Sequence, residues 1–148
     1  MRILEPLHKF LRQGMSADQL ALCVAVGVVV GNIPILGLSS LLCAGIALMF
    51  RLNLPAIQIV QAAMAPLQLV MIIPFVRLGE WLLRAPVQAL SIKEGLALIS
   101  QGAAHAVTVL WTAILHGGFA WLIVAPFLTV TLYQGLRRVF ARAVARTS

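Results

Sequence analysis

Few residues in this sequence can do chemistry, and they are widely spaced. Between Asp18 and Arg77 only Arg51 carries a formal charge. A guanidinium there could hold a lipid phosphate or a carboxylate. A helix start expected at Pro55 would add free N–H groups that favour anions. The same arginine could equally snorkel to a membrane surface. Asn53 lies beside it, and Gln58, Gln61 and Gln68 fall within about 80° on a helical wheel. These amides could line a polar cavity, or bond between helices at about 0.6 kcal/mol per contact. Pro66 interrupts the wheel before Gln68.

A second polar line is Gln101, His105, Thr108, Thr112 and His116, with spacings that put all five on one helical face. Ionisable residues inside a membrane are costly and often functional. Two histidines in line could relay protons near neutral pH, although no Asp or Glu accompanies them. Structural hydrogen bonding is the competing reading. Asn32, Pro34 and Gly37 mark an uncharged turn that could offer broken backbone to a substrate. Arg77 and Glu80 are three apart and can pair on a helix.

Enzymatic chemistry is not expected. There are no paired carboxylates, no G-x-S-x-G, no phosphate loop and no His-Glu metal motif, so no catalytic residue is assigned. Cys23 and Cys43 lie in apolar runs without ligand spacing and read as small buried hydrophobes. With three dispersed histidines, no metal site and no cofactor is expected.

The elements that must position these residues follow from composition. Of 148 residues, 61% are hydrophobic and 10% charged, and the mean hydropathy is +1.01. Soluble domains carry about 25% charged residues, so a water-soluble fold is excluded for want of polar cover. The net charge of +7 sits in short clusters that flank long uncharged runs. That distribution fits membrane flanks, with Lys and Arg on the cytoplasmic side, and not a nucleic-acid surface. The basic Met1–Arg12 segment has no small-residue cleavage site after its apolar run and reads as retained.

Three uncharged runs, 19–50, 52–76 and 95–136, organise the chain. Residues 1–13 read as an interfacial amphipathic helix. Ser16-Ala-Asp-Gln19 reads as a capping box opening a first helix to about Gly31. Gly27 and Gly31 form a small-xxx-small packing face. Pro34 breaks the chain before a second short helix from Leu38 to Phe50. A third helix from about Ala56 meets Pro66 and resumes to Leu83. A fourth runs from about Leu96 to His116, turns at Gly117-Gly118, and returns from Phe119 to Gln134 before a basic tail over 137–148. Trp81, Trp111 and Trp121 read as interface anchors.

The fold class expected is all-α integral membrane. Short Pro/Gly-broken helices form about three helical hairpins in a single membrane domain over 1–148, divided as 16–83 and 96–136. Both basic flanks would then lie in the cytoplasm.

Several stretches resemble one bacterial membrane family. They are Gly14-Met-Ser-Ala-Asp-Gln-Leu-Ala-Leu, Gly27-Val-Val-Val-Gly31-Asn-Ile-Pro34-Ile-Leu-Gly37, Arg51-Leu-Asn53-Leu-Pro55-Ala56 and Ala65-Pro66-Leu67. Together, over roughly residues 10–90, they are similar to the family catalogued as domain of unknown function twenty sixty-two. Two positions depart from its pattern: Ala65 stands where Asn often precedes the later proline, and Ser39 where Gln is common. The resemblance implies a multi-pass protein of the bacterial inner membrane. Some relatives are similar to proteins joined to, or encoded near, glycosyltransferases of envelope synthesis. The family carries no established activity.

Two functions are therefore expected. The first is transport or translocation of a lipid-linked or small amphiphilic substrate by a homo-oligomer. The alternative is a non-enzymatic scaffold or partner subunit for an envelope-biosynthesis enzyme. Membrane lipids are partners in either case.

Overall fold

The computed structural model describes residues 14–35, 37–87, 91, 93–94, 97 and 100–147. The amphipathic helix expected over 1–13 lies outside the described residues. Those that are described form five α-helices and no strand.

Helix α1, Ala17–Gly31, opens as its sequence dictates. The Ser16 hydroxyl accepts the Gln19 N–H at 3.1 Å, and the Gln19 amide oxygen accepts the Ser16 N–H at 3.1 Å. Asp18 lies in the first turn, where the helix dipole favours an acid, and pairs with Arg137 at 2.7 Å. The helix ends because Pro34 has no N–H and disfavours helix at Ile33. Asn32 closes it, its Nδ2 donating to the Val28 carbonyl at 2.8 Å. Gly37, at φ 86°, turns the chain into α2, Leu38–Phe50. A left-handed φ is free for glycine and costs other residues about 1–2 kcal/mol.

Arginine stands at two such left-handed positions. Arg51 (φ 52°) closes α2, with the Leu52 N–H bonded to the Ala47 carbonyl at 2.8 Å. Arg84 (φ 51°) closes α4, with the Ala85 N–H bonded to the Glu80 carbonyl at 2.9 Å. Both are Schellman-type closures, in which glycine is the usual residue. Asn53 then caps α3, Leu54–Ala63, its Oδ1 accepting the Ala56 N–H at 2.9 Å.

At the Pro66 break that the sequence predicts, the chain only bends. Met64 keeps a right-handed helical backbone (φ −81°, ψ −9°), and α4 starts at once as Ala65–Leu83. Pro66 sits in the first turn of α4, where its missing N–H costs nothing.

The third expected hairpin, over 96–136, is not formed. Ala103–Thr147 is one helix of 45 residues, α5, about 67 Å long at 1.5 Å per residue. The turn that Gly117-Gly118 predicts is absent, although glycine weakens a helix by about 0.5–1 kcal/mol. Here glycine serves close packing instead. A Cβ on Gly117 would stand 3.1 Å from Val76 Cγ2 and 3.3 Å from Pro34 Cγ. Buried Ala106, Ala113 and Ala120 continue the same line of small residues along α5.

The helices pack along α5 in two halves. Helix α1 runs antiparallel to its second half: Asp18 meets Arg137, Leu20 and Ala21 cluster with Phe140, and Val29 meets Trp121. Helix α4 crosses its first half, with Gly79 against His116 and Val76 against Gly117. Helix α3 runs parallel to α1, since Gly27 faces Val60 and Gly31 faces Met64. The main core joins α1, α2, α3 and the second half of α5 through Val26, Val29, Cys43, Ile57 and Trp121. Two helices, Ala65–Leu83 and the Ala104–Ala143 portion of α5, are long and apolar enough to cross a membrane by length and composition.

Candidate functional site: the clamped turn and the groove beside it

The turn between α1 and α2 gathers most of the polar residues read from the sequence. Gln68, 4% exposed, donates from Nε2 to the Ile33 carbonyl at 2.7 Å. Gln61 Nε2 donates to Ser39 Oγ at 3.0 Å, and Ser40 Oγ donates to Gln61 Oε1 at 3.2 Å. Gln58 Nε2 donates to the Ser40 carbonyl at 3.2 Å. Trp121 Nε1 donates to the Val29 carbonyl at 2.9 Å. The glutamine stripe is thus bonded between helices and holds the ends of α1 and α2 to α3 and α4. Asn32 and Pro34 are buried in this clamp.

Removing one strut measures the clamp. Gln68→Leu is expected to destabilise the protein by about 1–3 kcal/mol, because the buried Ile33 carbonyl loses its donor. Thermal unfolding in detergent would show the loss, and an unchanged midpoint would show that the clamp carries no stability.

Other expected site residues lie apart from this turn. Arg51 and Asn53 sit at the opposite end of α2. Gly37 is exposed at the start of α2, while Gly27 and Gly31 are buried on the α1–α3 contact. The second polar line lies along the first part of α5. Gln101 precedes the helix, and His105 is exposed. The Thr108 and Thr112 hydroxyls donate to their own helix at Ala104 and Thr108, each at 2.9 Å. His116 is half-buried against Gly79, and its Nδ1, like Asn32 Oδ1, is buried with no hydrogen-bond partner among the described residues. Cys23 and Cys43 are free thiols inside the main core.

The feature that sequence reasoning missed is an apolar groove between α1, α2 and α5. Its lower part, about 420 Å³, is lined by Val26, Ile46, Phe50, Leu52, Pro126 and Thr129, among others. Its upper part, about 470 Å³, is lined by Ile33, Ile35, Leu38, Leu42, Leu115 and Phe119, among others. Val30, Ile46, Trp121 and Leu122 line both, so the two parts adjoin as an open groove along the molecule's side. From Ile114 to Thr129 it follows α5 for about 22 Å at 1.5 Å per residue. Pro126, having no N–H, leaves the Leu122 carbonyl without its helical donor along this wall. No periodicity announces such a groove, because its lining comes from three helices far apart in sequence.

A second, more polar cleft of about 650 Å³ lies at the end of α4, lined by Arg77, Glu80, Trp81 and Arg84, among others. Glu80 is 2% exposed there and bonds Arg77 at 2.9 Å, the pair expected from their spacing.

An all-helical protein emerges, with polar groups spent on clamping a hairpin and a greasy channel left open beside it. The chain belongs to the family described as "uncharacterized protein conserved in bacteria (DUF2062)", whose model matches residues 2–148. The relationship thus extends over essentially the whole chain, beyond the 10–90 that the motifs cover. No curated protein and no solved structure matches it.

Proposed function

We propose that this protein is embedded in the bacterial inner membrane and holds the hydrocarbon part of an amphiphile in the groove. Holding it there is a step in moving or presenting a lipid-linked substrate, without enzymatic chemistry of its own. The open apolar groove carries this reading. Its lining is hydrocarbon-like, and its lower end reaches Phe50 and Leu52, the neighbours of Arg51.

Charge and length support the placement. Asp18, Arg51 and Arg137 share one end of the three-helix half, and the sequence between Arg51 and Arg77 is uncharged. Measured along α5 from Arg137, a hydrocarbon layer of about 30 Å reaches to about Gly117. Helix α1, about 22 Å long, would traverse most of that layer. The excess of Lys and Arg supports a cytoplasmic position for this end.

One observation favours a partner as well. The first half of α5 and α4 extend beyond that layer yet expose large apolar side chains, including Leu69, Val70, Leu110, Trp111 and Leu115. A homo-oligomer or an envelope-biosynthesis enzyme would cover them.

The test uses Trp121 as a reporter in a Trp81→Phe, Trp111→Phe background, purified in detergent. A phospholipid brominated on its acyl chains, added near stoichiometry, is expected to quench Trp121 saturably. Absence of saturable quenching would sink the groove as a chain site. In proteoliposomes, lipid flip faster than in empty vesicles supports movement of the substrate. Flip no faster than in empty vesicles removes movement and leaves presentation to a partner.

A further inference from the structure

Resting on that reading of the groove, we infer that Arg51 is the headgroup anchor of the site, and that its ligand is an anionic phospholipid. The guanidinium bonds the phosphate while an acyl chain runs up the groove past Trp121.

Three observations converge on this arginine. Phe50 and Leu52, its neighbours on either side, both line the lower end of the groove. Arg51 therefore stands at the mouth of the channel, on a short connection between two helices. Its charge is also unpaired among the described residues. It is exposed, and among the described residues it has no ion pair and no side-chain hydrogen bond. The acid at the same end, Asp18, is taken by Arg137. A lone guanidinium beside an apolar channel is complementary to a molecule with an anionic head and a hydrocarbon tail, and its planar fork matches phosphate oxygens in pairs.

The third observation is the backbone. Arg51 holds the left-handed conformation at φ 52°. Glycine or asparagine would sit there more easily, so the fold keeps arginine against its own local preference. Arg84 shares this conformation at φ 51°, so the backbone bears on Arg51 together with its place at the groove. It also supplies a test in which stability and binding move in opposite directions.

Arg51→Gly and Arg51→Asn remove the charge and suit the left-handed backbone. Both are expected to unfold at the same temperature as the parent or higher. Binding is read by Trp121 quenching, in the background described above, with brominated phosphatidylglycerol and brominated phosphatidylcholine. The parent should bind phosphatidylglycerol at least tenfold more tightly than phosphatidylcholine. In both variants that preference should disappear, while phosphatidylcholine binding is unchanged. Arg51→Lys keeps the charge but not the planar fork, and should keep only part of the preference.

Equal binding of the two lipids by the parent, or a preference that survives in Arg51→Gly and Arg51→Asn, overturns the anchor while leaving the groove occupied. Displacement of phosphatidylglycerol by millimolar inorganic phosphate alone would make Arg51 a free-anion site, and overturns the lipid assignment. Absence of quenching by either lipid takes down the groove reading itself, so the two failures are distinguishable.

Discussion

Gly79→Ala is expected to destabilise the protein by about 1–3 kcal/mol, and Gly79→Val by more, the usual scale for overpacking a tight contact. At this position α4 lies so close to α5 that a Cβ would overlap the His116 carbonyl. The obstacle is backbone, which cannot swing aside like a flexible side chain. The helices must separate instead, and the close approach of Val76 to Gly117 goes with them. Close approach of small residues is what joins helices in an apolar solvent, where burial from water gives little drive. Gly45→Ala is the control: Gly45 lies in the middle of α2 with open space around its Cα. It should stabilise by about 0.4–1 kcal/mol, through helix propensity and a restricted unfolded chain. Thermal unfolding of the purified protein in detergent measures both. A Gly79→Ala protein as stable as the parent would mean that the two helices do not cross at this residue.

Trp121→Ala is the second large effect, expected at about 3–5 kcal/mol. The indole is 9% exposed, packs in the main core and bonds the Val29 carbonyl across 92 residues of sequence. Truncation removes both the packing and the donor, and leaves a cavity where α1 meets α5. Trp121→Phe separates the two contributions. It keeps most of the ring and loses the hydrogen bond, at a cost of about 1 kcal/mol, because the Val29 carbonyl still receives the Asn32 N–H at 3.2 Å. Chemical unfolding followed by circular dichroism reads the pair. Equal losses in the two variants would show that the hydrogen bond, and not the packed ring, holds the hairpin.

Local features were legible in the sequence wherever they depend on neighbours in the chain. The capping box at Ser16 and Gln19, the stop at Pro34 and the interruption near Pro66 all belong to this kind. Features that depend on a partner across the fold were not. Gly117 looks like a hinge until Val76 and Pro34 are placed against it. The glutamines could be assigned to one face, but not to Ser39, Ser40 and the Ile33 carbonyl. The left-handed backbone at Arg51 was hidden for the opposite reason, since glycine or asparagine would have announced it and arginine does not. The groove was invisible because its walls come from α1, α2 and α5 together.

The clamp on the first hairpin has a consequence for how the protein is made. Its fastenings, Gln68 and Trp121, lie 35 and 92 residues beyond the carbonyls they hold. At about 5–20 residues per second, the ribosome finishes Val29 roughly 5–20 s before it reaches Trp121. During that interval the nascent hairpin exists without these two fastenings. Its final seating is therefore one of the last events of biogenesis, although it is among the first segments translated.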